Sequence, residues 1–168
     1  MENVTLPLAS PIIKLLDTIG NGSGITNAIG NYSTTPVLFT AVVPPNTLWF
    51  LNFIKIQVSD TGTFGGHDYG NITNGLINGY SIKIYKNNIP TVLTAGLITY
   101  NDQFIHYSFE YQLTQFSNSY WTSSAVLRFD PPFVLCGNLG DRVEITLHDN
   151  FTGLTDHTFA IHGSQIKV

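Results

Sequence analysis

"TLWFLNFIKIQVS", residues 47–59, decides the fold. The stretch is rich in β-branched and aromatic residues, contains no Gly or Pro, and repeats with a period of two. Phe50, Ile54, Ile56 and Val58 share one face of the strand this predicts, and Trp49, Leu51, Phe53, Lys55 and Gln57 share the other. The second face turns from apolar to polar along its length. One end of it is therefore expected to be covered by another element or by a second subunit, with Trp49 and Phe53 as the anchors.

The same signal continues in both directions. Upstream, "PVLFTAVV" (36–43) reads as a short strand ended by Pro44, Pro45 and Asn46. Downstream, "GYSIKIYK" (79–86) places Tyr80, Ile82 and Ile84 on one face and runs through an Asn87-Asn88 turn into "IPTVL", the clearest hairpin in the chain. Further strands are expected at 104–113, 120–129, 132–136, 142–149 and 157–168. Eight or nine strands punctuated by Gly, Pro and Asn, with no capped stretch of 3.6-residue period, give an all-β protein: an antiparallel β-sandwich. An immunoglobulin-like sandwich and an open barrel share the alternation signal. Strand count and long connections favour a jelly-roll-like arrangement.

Residues 1–16 read as an extended N-terminal arm. Pro7 and Pro11 remove backbone donors, while Leu6, Leu8, Ile12, Ile13, Leu15 and Leu16 offer apolar contacts to the protein's own body or to a neighbour. Residues 17–35 are rich in Gly, Asn, Ser and Thr and read as an extended surface segment able to cross a subunit boundary. The expected organisation is thus an arm and loop segment at 1–35 and a sandwich domain at 36–168.

The chain has 168 residues, enough for one domain with a sizeable core, and is 43% hydrophobic but only 11% charged. Its polar surface is built from Asn, Thr, Ser and Gly, which suits contact more than free solution. A net charge of −4 with 7 basic residues cannot neutralise a run of phosphates, which argues against nucleic acid as a partner. The N-terminal sequence has neither a basic start nor the roughly 20 apolar residues of a membrane helix, so a protein made in the cytoplasm, with no membrane partner, is expected. The single Cys136, in "FVLCGN", reads as a buried inert thiol. Asn-x-Ser/Thr triplets at Asn3, Asn21, Asn31, Asn71 and Asn150 follow from the composition rather than from glycosylation.

Candidate chemistry is thin. Asp60, His67 and Asp68, in the "DTGTFGGHDYGNITNG" loop at 60–75, could gather oxygen ligands for a metal with Asp149 and Asp156. Their spacing matches no compact calcium loop, and Asp or Asn before Gly is also the ordinary way to start a tight turn. We therefore expect no metal and no cofactor. His106, Ser108 and Glu110 alternate onto one face of a strand but stand about 7 Å apart, beyond the hydrogen bonds of a nucleophilic triad. No catalytic residue, and no enzyme, is expected. Aromatics are the stronger feature: Tyr111, Tyr120, Trp121 and the face with Trp49 and Phe53 could anchor a partner or stack on sugar rings, while at least half of them are expected to fill the sandwich core instead.

Taken in order, "LLDTIGNGSGITNAIGNYS", "DTGTFGGHDYGNITNGLINGYSIKIYKNN" and "LHDNFTGLTDHTFAIHG" resemble a family of small virion structural proteins of tailed bacteriophages. In that family a Gly-rich arm, a loop of the form D-x-G-x-F before a strand, and a D-(N/D)-F-(S/T)-G-L turn before the last strand recur in this order. The resemblance implies a head decoration, or cement, protein on the capsid surface. Such a protein would be a jelly-roll-like homo-oligomer, a trimer being favoured, that clamps neighbouring major capsid protein subunits. It implies no catalytic residues. A tail-fibre or baseplate module that recognises host carbohydrate is the alternative. "IYKNNIPTVL" stands where the family would have a more acidic turn.

Overall fold

The structure is a computed structural model and describes residues 8–62, 76–97, 109–117 and 120–168. Nine strands form two antiparallel sheets: β1 (Ser10–Leu15), β2 (Val37–Val42), β3 (Thr47–Thr61), β4 (Tyr80–Lys86), β5 (Ile89–Leu97), β6 (Phe109–Ser117), β7 (Tyr120–Cys136), β8 (Arg142–Leu147) and β9 (Asp156–Lys167). One sheet has the order β1-β9-β3-β7-β6 and the other β2-β8-β4-β5. The pairing is nested. First strand pairs with last, second with eighth, third with seventh and fourth with fifth, as in a long hairpin folded over on itself, and β6 adds to the edge beside β7. The expected all-β sandwich is the observed fold.

Alternation builds the core between the sheets. Ile54, Ile56, Phe159 and Ile161 from one side meet Phe39, Ala41, Tyr80, Ile82, Ile84, Val143, Ile145 and Leu147 from the other, all essentially buried. Each such side chain contributes about 1.5–3 kcal/mol by leaving water. The β4–β5 hairpin turns where expected: Asn87 and Asn88 both have positive φ, 51° and 60°, the geometry of a two-residue turn whose twist matches the strands.

β3 departs from simple alternation. Its pairing shifts between Leu51 and Phe53, leaving Asn52 as an exposed extra residue in a β-bulge. Before the bulge Thr47, Trp49 and Leu51 point inward; after it Ile54, Ile56 and Val58 do. The two faces read from the sequence are therefore each split halfway. Trp49, expected to anchor a second subunit, is only 2% exposed within its own chain. Its indole N–H donates to the Gln165 side chain at 3.3 Å.

Beside the bulge, Gly163 lies opposite Leu51. A Cβ there would run into the Phe50 carbonyl oxygen. We expect Gly163→Ala to destabilise the protein by about 3 kcal/mol through forced backbone displacement. Urea unfolding measures it, and a loss below about 0.5 kcal/mol would mean that the bulge relaxes without strain.

The N-terminal reading also needs correction. Residues 10–15 are not an arm but the edge strand of the five-stranded sheet, with Ile12 and Leu16 buried in the common core. Residues 17–35 lie on the protein's own body. Asp17 exchanges backbone hydrogen bonds with Thr40, Ala28 donates to the His157 carbonyl, and Tyr32 donates to that of Asp149. The proposed boundary at residue 35 thus cuts through one core. The two strands expected at 120–129 and 132–136 are a single strand, β7, interrupted at Phe129–Pro132, where a cis Asp130–Pro131 peptide bulges out opposite Asn52.

Candidate functional site

Three aspartates, Asp17, Asp141 and Asp149, are buried staples of the fold. The Asp17 carboxylate accepts the backbone N–H groups of Ile19 (2.7 Å), Gly20 (2.6 Å) and Gly22. Burial alone would raise its pKa, but those three donors, together with the charge of Lys14, outweigh burial and hold it below the usual value. Asp141 accepts from Asn87 and Cys136, tying the β4–β5 turn to the end of β7. Asp149 accepts from Ile77, Asn78 and Gly79 at 2.6–3.2 Å, so it organises the entry into β4.

The buried histidine has a similar role. His157 is fully enclosed, with Nδ1 3.1 Å from the Ala28 carbonyl and Nε2 2.9 Å from the Tyr80 hydroxyl. A carbonyl can only accept, so Nδ1 carries the proton and Nε2 accepts from Tyr80. Burial, opposed only in part by the Ala28 contact, pushes its pKa down to about 3 and keeps the ring neutral.

These contacts account for much of the candidate chemistry. Asp149 is committed to backbone donors, and Asp60 accepts from the Thr61 N–H. His67 and Asp68 lie outside the described residues, as do His106 and Ser108. Among the described residues no group of three His, Cys, Asp or Glu side chains could hold a metal ion. Trp121, a candidate anchor from the sequence, is 2% exposed and belongs to the core, because β7 turns its odd-numbered residues inward here. Tyr120, next to it, is half-buried. Cys136 is a half-exposed free thiol rather than a fully buried one.

A broad organised surface is the outer face of the five-stranded sheet. Strand register lays it out in rows crossing β1, β9, β3 and β7. One row is Pro11, Ser164, Phe50 and Val134; the next is Ile13, His162, Phe53 and Arg128; the third is Leu15, Ala160, Lys55 and Val126. Ile13 is 74% exposed, Leu15 45% and Val134 40%. Phe53 is stacked on His162 at 4.3 Å, and the Arg128 guanidinium lies 5.2 Å from its ring. Burial and the nearby Lys55 lower the pKa of His162. Across β9, β3 and β7 the rows carry Lys55, Arg128 and His162, and β6 places Glu110 opposite Val126 at the end of the third row.

Of the anchors expected from sequence, Ile13, Leu15 and Phe53 lie on this face. Leu8 is 95% exposed beyond β1, Ile12 and Leu16 point into the core, and Leu6 lies outside the described residues. Phe50, Val126 and Val134 were missed because the bulge reverses which parity faces out.

A second feature is a groove of about 520 Å³ where β7 bulges, lined by Phe129, Pro131, Pro132 and Phe133, with Lys86, Arg128 and Asp130 at its rim. Phe129 and Phe133 meet edge to face at 5.0 Å. "DPP" interrupting a strand pattern was its sequence signal.

No protein-family model matches the chain, and neither does any curated protein or solved structure. No helix among the described residues is long and apolar enough to cross a membrane.

Proposed function

We propose that this protein is a non-enzymatic virion structural protein of a tailed bacteriophage, decorating the head as a homo-oligomer and clamping neighbouring major capsid protein subunits. The nested strand order is read as a jelly roll with β6 appended, which is fold-level analogy and supplies only the class. The family resemblance of the loops supplies the setting.

The observation that carries the reading is the three-row outer face. Apolar side chains held on rigid strands, with polar and charged groups interspersed, suit contact with another protein. Meanwhile the buried carboxylates and histidine serve the fold. A cement protein that binds only the assembled lattice stabilises it by RT ln(1 + [L]/Kd), repeated over many sites.

Truncating residues 1–16 is a poor test, since it removes a strand and two core side chains. Electron cryomicroscopy of the virion is the better one. Density for this chain at capsomer junctions, with the outer sheet face against the lattice, is the expected result. Density confined to the tail would overturn the reading. It would favour a host-recognition module, for which the Phe129–Phe133 groove, with charged groups around an aromatic floor, would be the carbohydrate site.

A further inference from the structure

We infer that β1 is a self-complementary edge through which two copies of this chain pair antiparallel, joining their five-stranded sheets into one. The inference does not depend on the decoration reading and would stand if that reading failed.

The edge is open in a specific way. The Leu16 N–H donates to the Phe159 carbonyl, and the β1–β9 register runs without interruption. Even-numbered residues of β1 therefore direct their backbone groups to β9, and Pro11, Ile13 and Leu15 direct theirs away. Pro11 fits this, because a proline is tolerated in a strand where its missing N–H faces outward. Among the described residues no strand lies beyond β1. The chain treats its other first edge differently: β2 is covered by its own backbone, through Asp17 on Thr40 and the Val42 N–H on the Gly20 carbonyl.

Nor is β1 guarded in the usual manner by charge. Its one lysine is drawn off the edge, Lys14 Nζ donating to the Gly20 carbonyl at 3.2 Å and lying 5.7 Å from the Trp49 ring. What remains outward is Ile13 and Leu15.

One register satisfies this edge best. Placing Ile13 opposite Ile13 of the second copy lets these two exchange both hydrogen bonds, and each Leu15 N–H reaches the other copy's Pro11 carbonyl. Outer faces stay on the same side, and Lys14 lies opposite Ile12. Sliding one step in one direction sets Lys14 against Lys14. Sliding the other way sets Pro11 opposite Ile13 and loses ladder bonds at the centre. Pairing of this kind is isologous and closes as a dimer, not as the trimer the family resemblance implies. A six-residue strand pair buries less than the roughly 1,200 Å² of a stable interface, so the purified dimer should be weak and form only at high protein concentration.

Sedimentation equilibrium on the full chain tests this without capsids present. Wild type should show a monomer–dimer equilibrium, weakened at least about tenfold by Ile13→Lys, which sets like charges face to face, with an unchanged melting temperature. Because paired Cα atoms at this position would be about 5.5 Å apart, Ile13→Cys should form an intermolecular disulfide on mild oxidation where Lys14→Cys and wild type do not. A wild-type protein that stays monomeric at about 1 mM, a trimer, or a dimer indifferent to Ile13→Lys with no cross-link at residue 13 would overturn it. Loss of head binding in Ile13→Lys, with wild type monomeric, would assign the edge to a partner's strand and overturn it as well.

Discussion

Asp149→Ala should lower the unfolding free energy by about 4 kcal/mol, the largest loss expected from any single carboxylate in this protein. The side chain is 1% exposed and accepts from three successive backbone donors, those of Ile77, Asn78 and Gly79. Hydrogen bonds to a charged acceptor contribute about 1.5–3 kcal/mol each, and removing the acceptor leaves donors facing a void. The sum is reduced because part of that turn can reach water: Ile77 and Asn78 are exposed. Asp149→Asn keeps one acceptor oxygen and should lose about half as much. Urea titration with an unchanged m-value is the measurement. A loss below about 1 kcal/mol for the alanine variant would show that the entry to β4 holds its shape without the carboxylate.

Acid should weaken the fold earlier than carboxylate protonation alone predicts. His157 is held neutral, its pKa depressed from 6.5 to about 3 by burial between Tyr80 and Ala28. In the unfolded chain the ring binds a proton below about pH 6.5 and in the folded chain it does not. The unfolded state thus gains protons first. The stability contributed by the neutral ring is complete above pH 6.5 and is lost as pH falls toward 3, at about 1.4 kcal/mol per pH unit. Asp17, whose pKa is lowered from 3.8, adds its own loss only below about that value. Over the interval between pH 6 and 4 the loss comes from His157 together with a contribution of the same sign from His162, whose pKa is also lowered. His157→Gln should lessen the dependence of stability on pH across it, whatever its effect at neutral pH. An unchanged slope would mean that His157 becomes protonated inside the fold.

The strands that sequence reading located are those whose burial pattern is local. β4 and β5 were legible because a strictly alternating strand meets a two-residue turn of the right chemistry, and Asn87-Asn88 can adopt positive φ. β3 was legible as a strand but not in its facing, because a bulge is one uncommitted residue, Asn52, that no propensity distinguishes from its neighbours. That single residue reassigns Trp49 from the surface to the core. β1 was hidden by "PIIKLL", where paired apolar residues imitate neither period, and where Ile12 is buried while Ile13 is exposed.

The site was less legible for a physical reason. Asp17 captures donors two, three and five residues ahead, a pattern that local reasoning can recover. The donors to Asp149 lie about seventy residues upstream, and the rows of the outer face combine four strands from separate parts of the chain. Alternation says which side of a strand is apolar; only the nesting of strands says which residues stand together.

That nesting also fixes an order of events during synthesis. β1 leaves the ribosome before β2–β8, yet its pairing partner β9 follows all of them, and β3 likewise waits for both β7 and β9. The β4–β5 hairpin can close while the chain is still growing, but the five-stranded sheet cannot be completed until β9, which lies between β1 and β3, has been made. Contacts so distant along the chain fold slowly, on a scale of milliseconds to seconds. During that wait the apolar residues of β1 and β3 are the ones a chaperone would have to shield.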